Sequence, residues 1–541
     1  MKNISKSVKI LLVIFIFLAM SYLPILLSHK QISPDAYFII PTFKGYDTIW
    51  VYLKALFNFE TVDFQPVRDA SLFLDWWIYE NWKINIFIFH NILIWTLSCF
   101  MIFKIMKRTF NQTIEEKHIL LIVLAFAAYP LFSSSVCWSI ARKHLLATMF
   151  LLWGTDILQS LLERYDLKKM VLVCSLYFLS VFSQPIGMLW FLWVILYVKV
   201  NKKEKWKTYW PLLFSLFLIF VSVLITTYLY YEKSAFFTFT FNSKTSMMFQ
   251  IWPKILVFGH YMHKLFFPYL PVLHEVVTYS SIVIGWIITL TICVLYRVFK
   301  LDYMHFFTWV AFTLFPLVIV LNTPNLTFDT YLLLPSFGML MLILPLMKRW
   351  KLRPLVLWGM ILFFGAYTSK ESMAWLSSDN FNERNFQRAP SCSSARVAAL
   401  DFLTTSQPAP KEKIDFLISN GCLDEYSTTY NALEIIIFKS LLVYQDPLLN
   451  EDKKVSILLD LSDKNFFPGL VLANLYIDQK RYPESQAEIG KALIPLRGAK
   501  LIEMFENDVV KNVFAYCERI SYQDCIEILS KLDQTTDWPY L

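Results

Sequence analysis

Eleven apolar runs, each close to the length needed to cross about 30 Å of hydrocarbon, take up most of the first 370 residues. They lie at about 8–28, 84–106, 118–138, 144–163, 170–184, 186–200, 208–230, 277–298, 304–322, 331–347 and 354–370. Backbone in a bilayer must satisfy its own hydrogen bonds, and unbroken apolar runs without period-two alternation do this as helices. The expected fold class is therefore all-α: a polytopic transmembrane bundle of about eleven spans. Composition agrees, with 56% apolar and only 17% charged residues, against roughly a quarter charged in soluble domains. This composition argues against a purely globular cytosolic enzyme. Glycine, 12 of 541 residues, is too scarce for glycine-rich phosphate loops, and the same scarcity argues against helices packed on small-residue seams.

The net charge of +8 sits mainly in short loops between runs, so it points to membrane topology and not to a nucleic-acid partner. Dense basic clusters at Lys104, Lys107, Arg108, Arg164, Lys168, Lys169, Lys202, Lys203, Lys348 and Arg349 place those turns inside. The N-terminus is then cytoplasmic, the first run a retained anchor, and the C-terminal region extracytoplasmic. A bacterial inner membrane with a periplasmic C-terminal domain fits best, although an endoplasmic-reticulum membrane has the same topology. Two outer loops are long, 29–83 and 231–276. The second contains an amphipathic stretch, Met248 to Phe267, expected to lie in the membrane interface because it carries Lys254, His260, His263 and Lys264.

From about residue 371 the composition becomes that of a soluble helical domain, 371–541. The pattern from Phe466 to Pro495 reads as a helical hairpin with alanines at the crossing, similar to one tetratricopeptide (TPR) repeat. Of eight cysteines, Cys99, Cys137, Cys174 and Cys293 lie in or beside runs. Cys392, Cys422, Cys517 and Cys525 lie in the exterior domain, where disulfides can form. Three pairings are open, with 392 to 422 and 517 to 525 preferred.

Chemistry concentrates on the outer face. Asp35 follows the first run closely, where a carboxylate can act as general base toward a hydroxyl; a solvated loop acid is the plainer reading. Arg142 and Lys143 open the fourth run and run against the positive-inside trend, so they can clamp a lipid phosphate, although snorkelling also explains them. Accessory candidates are Arg68, Asp69, His260, His263 and Lys264. Asp75 reads as a helix cap or ion-pair partner. His90 and Asp156 lie within runs, where an ionisable group needs a partner, and His90 reads as hydrogen-bonded packing. His260 and His263 have metal-like spacing but no third ligand is evident, so no metal is expected; a divalent cation requirement is left open.

The run Phe64-Gln65-Pro66-Val67-Arg68-Asp69-Ala70-Ser71-Leu72-Phe73-Leu74-Asp75, with Asn91-Ile92-Leu93, Tyr129-Pro130 to Val136-Cys137-Trp138, Arg142-Lys143-His144-Leu145-Leu146 and Asp329-Thr330-Tyr331-Leu332-Leu333-Leu334-Pro335-Ser336-Phe337-Gly338, resembles the conserved blocks of the multi-pass, TPR-bearing protein O-mannosyltransferase-like proteins of the GT-C glycosyltransferases. The resemblance covers most of residues 1–370. It implies a GT-C-like membrane domain, 1–370, a polyprenyl-phosphate sugar as donor substrate, and a base at Asp35 within Pro34-Asp35. Only the second acid of the family's paired motif is kept. Gln65, Tyr129, Ser134, Gln184 and Thr330 stand where the family carries arginine, histidine, glutamate, lysine and arginine.

The leading expectation is an integral-membrane glycosyltransferase moving a sugar from a polyprenyl-phosphate carrier to a hydroxyl of a protein or glycan bound by the C-terminal domain. The alternative is a non-catalytic scaffold that recruits partners through that domain. A transporter or flippase is disfavoured by the glycine poverty.

Overall fold

The computed structural model describes residues 5–27, 43, 48–57, 64–110, 114–202, 206–233, 251–266, 279–298, 305–320, 329–349, 353–376, 383–384, 386–388, 395, 411–419, 440–441, 443–444, 449–462 and 466–493. Every regular element among them is helical. The chain divides into two compact units, residues 1–39 with 56–381, and residues 40–55 with 382–541.

In the first unit all of the apolar runs form helices: α1 (Lys6–Ser21), α3 (Phe87–Phe110), α4 (Glu116–Ala127) with α5 (Ser133–Cys137), α6 (Arg142–Glu163), α7 (Leu167–Ser183), α8 (Trp190–Asn201), α9 (Trp210–Lys233), α11 (Tyr279–Val298), α12 (His305–Val320), α13 (Leu333–Arg349) and α14 (Pro354–Ala374). Two further helices come from the expected outer loops, α2 (Pro66–Trp82) and α10 (Ile251–Phe266). Among the described residues, four helices are long and apolar enough to cross a membrane, those at Phe87–Phe110, Arg142–Glu163, Trp206–Leu229 and Tyr279–Val298. The α4–α5 pair makes a fifth if taken as one span bent by 50°. Pro130 explains the bend, because proline cannot donate into the helical ladder.

The frame of this unit is the pair α3 and α6. Asn91 and Arg142 meet near their N-termini, while Lys104 and Arg108 meet Asp156 nearer their C-termini, so the helices run parallel and α4 with α5 returns between them. Thirteen residues of helix separate Asn91 from Lys104, about 20 Å at 1.5 Å per residue. Two polar rungs therefore tie one apolar pair at its two ends.

Aromatic side chains fill what a glycine-poor sequence leaves open. Trp193 stacks on Tyr197 at 4.6 Å and meets Trp309 edge-on at 4.8 Å. Their polar edges reach carbonyls: Trp95 Nε1 donates to the Ala127 carbonyl, Trp193 to that of His305 and Trp309 to that of Leu334, each at 3.0 Å. Several hydroxyls within the runs bond their own helix, as in Thr96 to the Ile92 carbonyl and Thr155 to that of Leu151, a local solution suited to surroundings without water.

One expectation about packing is corrected. A Cβ on Gly285 would lie 1.7 Å from the Gly259 carbonyl oxygen, so α10 and α11 cross on a glycine contact with backbone against backbone. Two facing glycines suffice for such a crossing, and a count over the whole chain cannot see them.

In the second unit, α15 (Glu451–Ser462) packs on α16 (Phe466–Asp478), which forms a hairpin with α17 (Tyr482–Leu493). Arg481 N–H bonds the Tyr476 carbonyl and Lys480 N–H that of Ile477, with Lys480 left-handed at φ 61°. This is a Schellman ending in which lysine occupies the place usually taken by glycine.

Candidate functional site

The most elaborate polar arrangement lies where α2, α3 and α6 meet. A guanidinium has five N–H donors, and in Arg142 each finds a protein acceptor. Nε reaches Asn91 Oδ1 at 2.8 Å, Nη1 the Ser71 carbonyl at 3.1 Å and its Oγ at 3.0 Å, and Nη2 Asp75 Oδ2 at 2.5 Å and the Phe87 carbonyl at 2.7 Å. The side chains of Arg142 and Asp75 are both 0% exposed. Asn91 in turn donates to the carbonyls of Val136 at 3.0 Å and Trp138 at 3.3 Å, which fixes the α5–α6 turn to α3.

The expected placement of Arg142 at an open headgroup surface is therefore corrected. Its buried position commits every donor to the protein, and a phosphate could enter only by displacing one of these bonds. Lys143, one residue on, is half-buried. Asp75 holds a second partner: its Oδ1 meets Nδ1 of His90, whose side chain is 31% exposed.

About two turns earlier on α2, Arg68 Nε bonds Asp69 Oδ1 at 2.6 Å, with both residues buried. The His144 ring, two residues beyond Arg142, meets the Tyr331 ring edge-on at 4.9 Å. Nδ1 of His144 is buried with no hydrogen-bond partner among the described residues. Gln65, at the N-cap of α2, donates to Gln184 Oε1 at 2.9 Å. Two positions where the resemblance leads one to expect cations thus form a neutral amide pair.

The short turn Asp329–Leu332 that carries Tyr331 also carries Asp329, which pairs with Lys264 of α10, both side chains 0% exposed. Nearby, Tyr129 Oη donates to the Leu265 carbonyl at 3.4 Å. His260 Nδ1 lies 2.6 Å from Ser281 Oγ, and His263 is buried on the same helix. Every residue from Gly259 to Leu265 is buried, so this stretch of α10 is enclosed. The expectation of an interfacial face with outward cations is corrected for His260, His263 and Lys264, which Asp329 and the α11 contact hold inside; the side chain of Lys254 lies outside what the structure describes.

The structure thus brings Arg68, Asp69, Arg142, Lys143, His144 and Tyr331 to one end of the α3–α6 pair, with Asp329 on the turn beside them and its partner Lys264 on α10. Asp35 lies outside the described residues, as do Cys392, Cys422, Cys517 and Cys525. The four described cysteines are free. No group of three or more metal-ligating side chains occurs among the described residues. Sequence reading missed the Asp75–Arg142–Asn91 association. The available signal was three polar residues on otherwise apolar stretches, each too costly to bury alone.

The opposite end of α3 and α6 is different in kind. Lys104 Nζ and Arg108 Nη1 bind Asp156, Arg108 at 3.0 Å, and Gln159 donates to Thr109 at 3.1 Å. Lys6 and Lys107 share Glu116 at 2.8 and 3.1 Å. Comparison with family models, curated proteins and solved structures finds no match.

Proposed function

We propose that the chain is an integral-membrane glycosyltransferase that moves a sugar from a polyprenyl-phosphate donor to an acceptor hydroxyl at the extracytoplasmic face. In this reading the apolar helices make about eleven crossings and the α16–α17 hairpin belongs to a TPR-like domain that presents a protein or glycan acceptor. The membrane is a bacterial inner membrane, with the N-terminus cytoplasmic and the second unit periplasmic.

The observation that carries the reading is the segregation of charge between the two ends of α3 and α6. Basic side chains that reach solvent gather at the Asp156 end, as positive-inside topology requires of the cytoplasmic side. Buried, oriented polar groups gather at the Arg142 end. A lipid-linked phosphate brought to that end meets Lys143 and Arg68, while Arg142 shapes the turn that carries Lys143. Asp35, on the loop of the same face, meets the acceptor. The hydroxyl gives up its proton to a base on this face as its oxygen attacks the anomeric carbon, the bond from that carbon to the phosphate oxygen breaks, and the phosphate leaves with the electron pair, stabilised by the cations.

Transfer by purified protein from a polyprenyl-phosphate sugar to serine- or threonine-containing peptide and to glycan acceptors tests this. Lys143→Ala with Arg68→Ala should raise the donor KM by about tenfold or more, the loss expected of charge-assisted phosphate contacts. A donor that is neither bound nor consumed would remove the proposal. The scaffold reading draws on the full commitment of Arg142 and on the neutral Gln65–Gln184 pair. Donor binding without turnover would favour it.

A further inference from the structure

Asp75 sits between two partners of different exposure. Its Oδ2 takes a hydrogen bond from buried Arg142 and its Oδ1 faces Nδ1 of His90. A carboxylate only accepts, so Nδ1 carries the proton and the lone pair of the neutral ring is left on Nε2. Arg142 pins the carboxylate, the carboxylate pins the imidazole, and only the imidazole is partly open, 31% against 0% for the other two side chains. The same arrangement, with a buried acid fixing a histidine's tautomer and aim, is how a histidine is prepared to accept a proton. A histidine that served only for packing would need neither the orienting acid nor the exposed edge.

We propose that His90 is the proton acceptor of the transfer reaction, with Asp75 and Arg142 as positioning residues. This rests on the glycosyltransferase reading and names the base of that same site. As the hydroxyl oxygen bonds to the anomeric carbon and the sugar–phosphate bond breaks, the hydroxyl proton passes to Nε2. The imidazolium keeps its Nδ1 proton on Asp75, and the phosphate carries away the electron pair.

The test uses the full chain and two readouts. His90→Asn keeps an N–H for Asp75 and removes Nε2. Its kcat should fall by about a hundredfold or more, the usual worth of general base catalysis, with donor KM unchanged. Imidazole added to His90→Gly should restore transfer in proportion to its concentration. Independently, carbethoxylation by diethyl pyrocarbonate, read by mass spectrometry across the eight histidines, should mark His90 in the wild type and mark it more slowly in Asp75→Asn. Wild-type transfer together with full kcat in His90→Asn would overturn the role alone. An unreactive His90 would do so whether or not sugar is moved. A wild type that transfers nothing would overturn the reading and the role together.

Discussion

The two ends of the α3–α6 pair solve one problem in opposite ways. Each joins the helices through a buried carboxylate and basic groups. At the Asp156 end the cations are long and partly solvated, with Lys104 38% and Arg108 33% exposed, so each can turn to water if its partner is lost. At the Arg142 end neither charge reaches solvent, and removing one strands the other. The first behaves as a tolerant anchor; the second has no intermediate state between complete and broken.

The sharpest way to break this comparison is Arg142→Met. Methionine fills the space but leaves Asp75 buried without its cation, a loss of about 3–5 kcal/mol. Thermal unfolding in detergent should show a large fall in Tm or no folded protein at all. Adding Asp75→Leu to Arg142→Met should recover much of the loss, since an apolar pair of similar volume carries no buried charge. Recovery would mean that the network is kept for orientation, with stability alone obtainable from packing.

A contact without charge sets an intermediate scale. Gly285→Ala would put a Cβ 1.7 Å from the Gly259 carbonyl oxygen, and because the obstacle is backbone, α10 and α11 must separate. Overpacking of this kind costs about 1–3 kcal/mol, again read as a lower Tm. At the tolerant end, Asp156→Asn should cost about 1 kcal/mol or less, because Lys104 and Arg108 can rehydrate. A fall equal to that of Arg142→Met would erase the distinction between the ends.

These magnitudes also explain what could be read in advance. Long apolar stretches announce helices because nothing else satisfies their backbone, and the structure turns each such run into helix. Basic clusters such as Lys104, Lys107 and Arg108 were legible because charge near a helix end has few places to go. The partners of Arg142 were not, since Ser71, Asp75, Phe87 and Asn91 come from elements whose approach depends on the α4–α5 return. The burial of residues 259–265 of α10 escaped for a related reason. His260, His263 and Lys264 look like an interfacial face until Asp329, 65 residues on from Lys264, supplies a buried counter-charge. Gln65 and Gln184 each look like a lost cation when taken singly, and only together do they explain where the amides go.

The smallest effect belongs to a pair that lies between the two ends in character. In the second unit Lys413 is 4% exposed and bound to Glu383, which is 40% exposed. The hydrogen bond from Lys413 holds the Glu383 carboxyl below its ordinary value of 4.5. A carboxylate with a depressed folded value adds stability above the unfolded value and loses it as pH falls through the folded one. Because Glu383 is open to water, the contribution should stay under about 1 kcal/mol. Amide protection factors around residues 383–388 and 411–419, taken against the intrinsic exchange rate at each pH from 6 down to 3, should fall below about pH 4.5 in the wild type. It should change little over that range in Glu383→Gln, which has no proton to gain. If both proteins respond alike, Lys413 is held by packing against Phe386, whose ring lies 5.6 Å from its Nζ. The pair then belongs with the tolerant anchors, because the lysine stem, not the charge, would be what the fold requires.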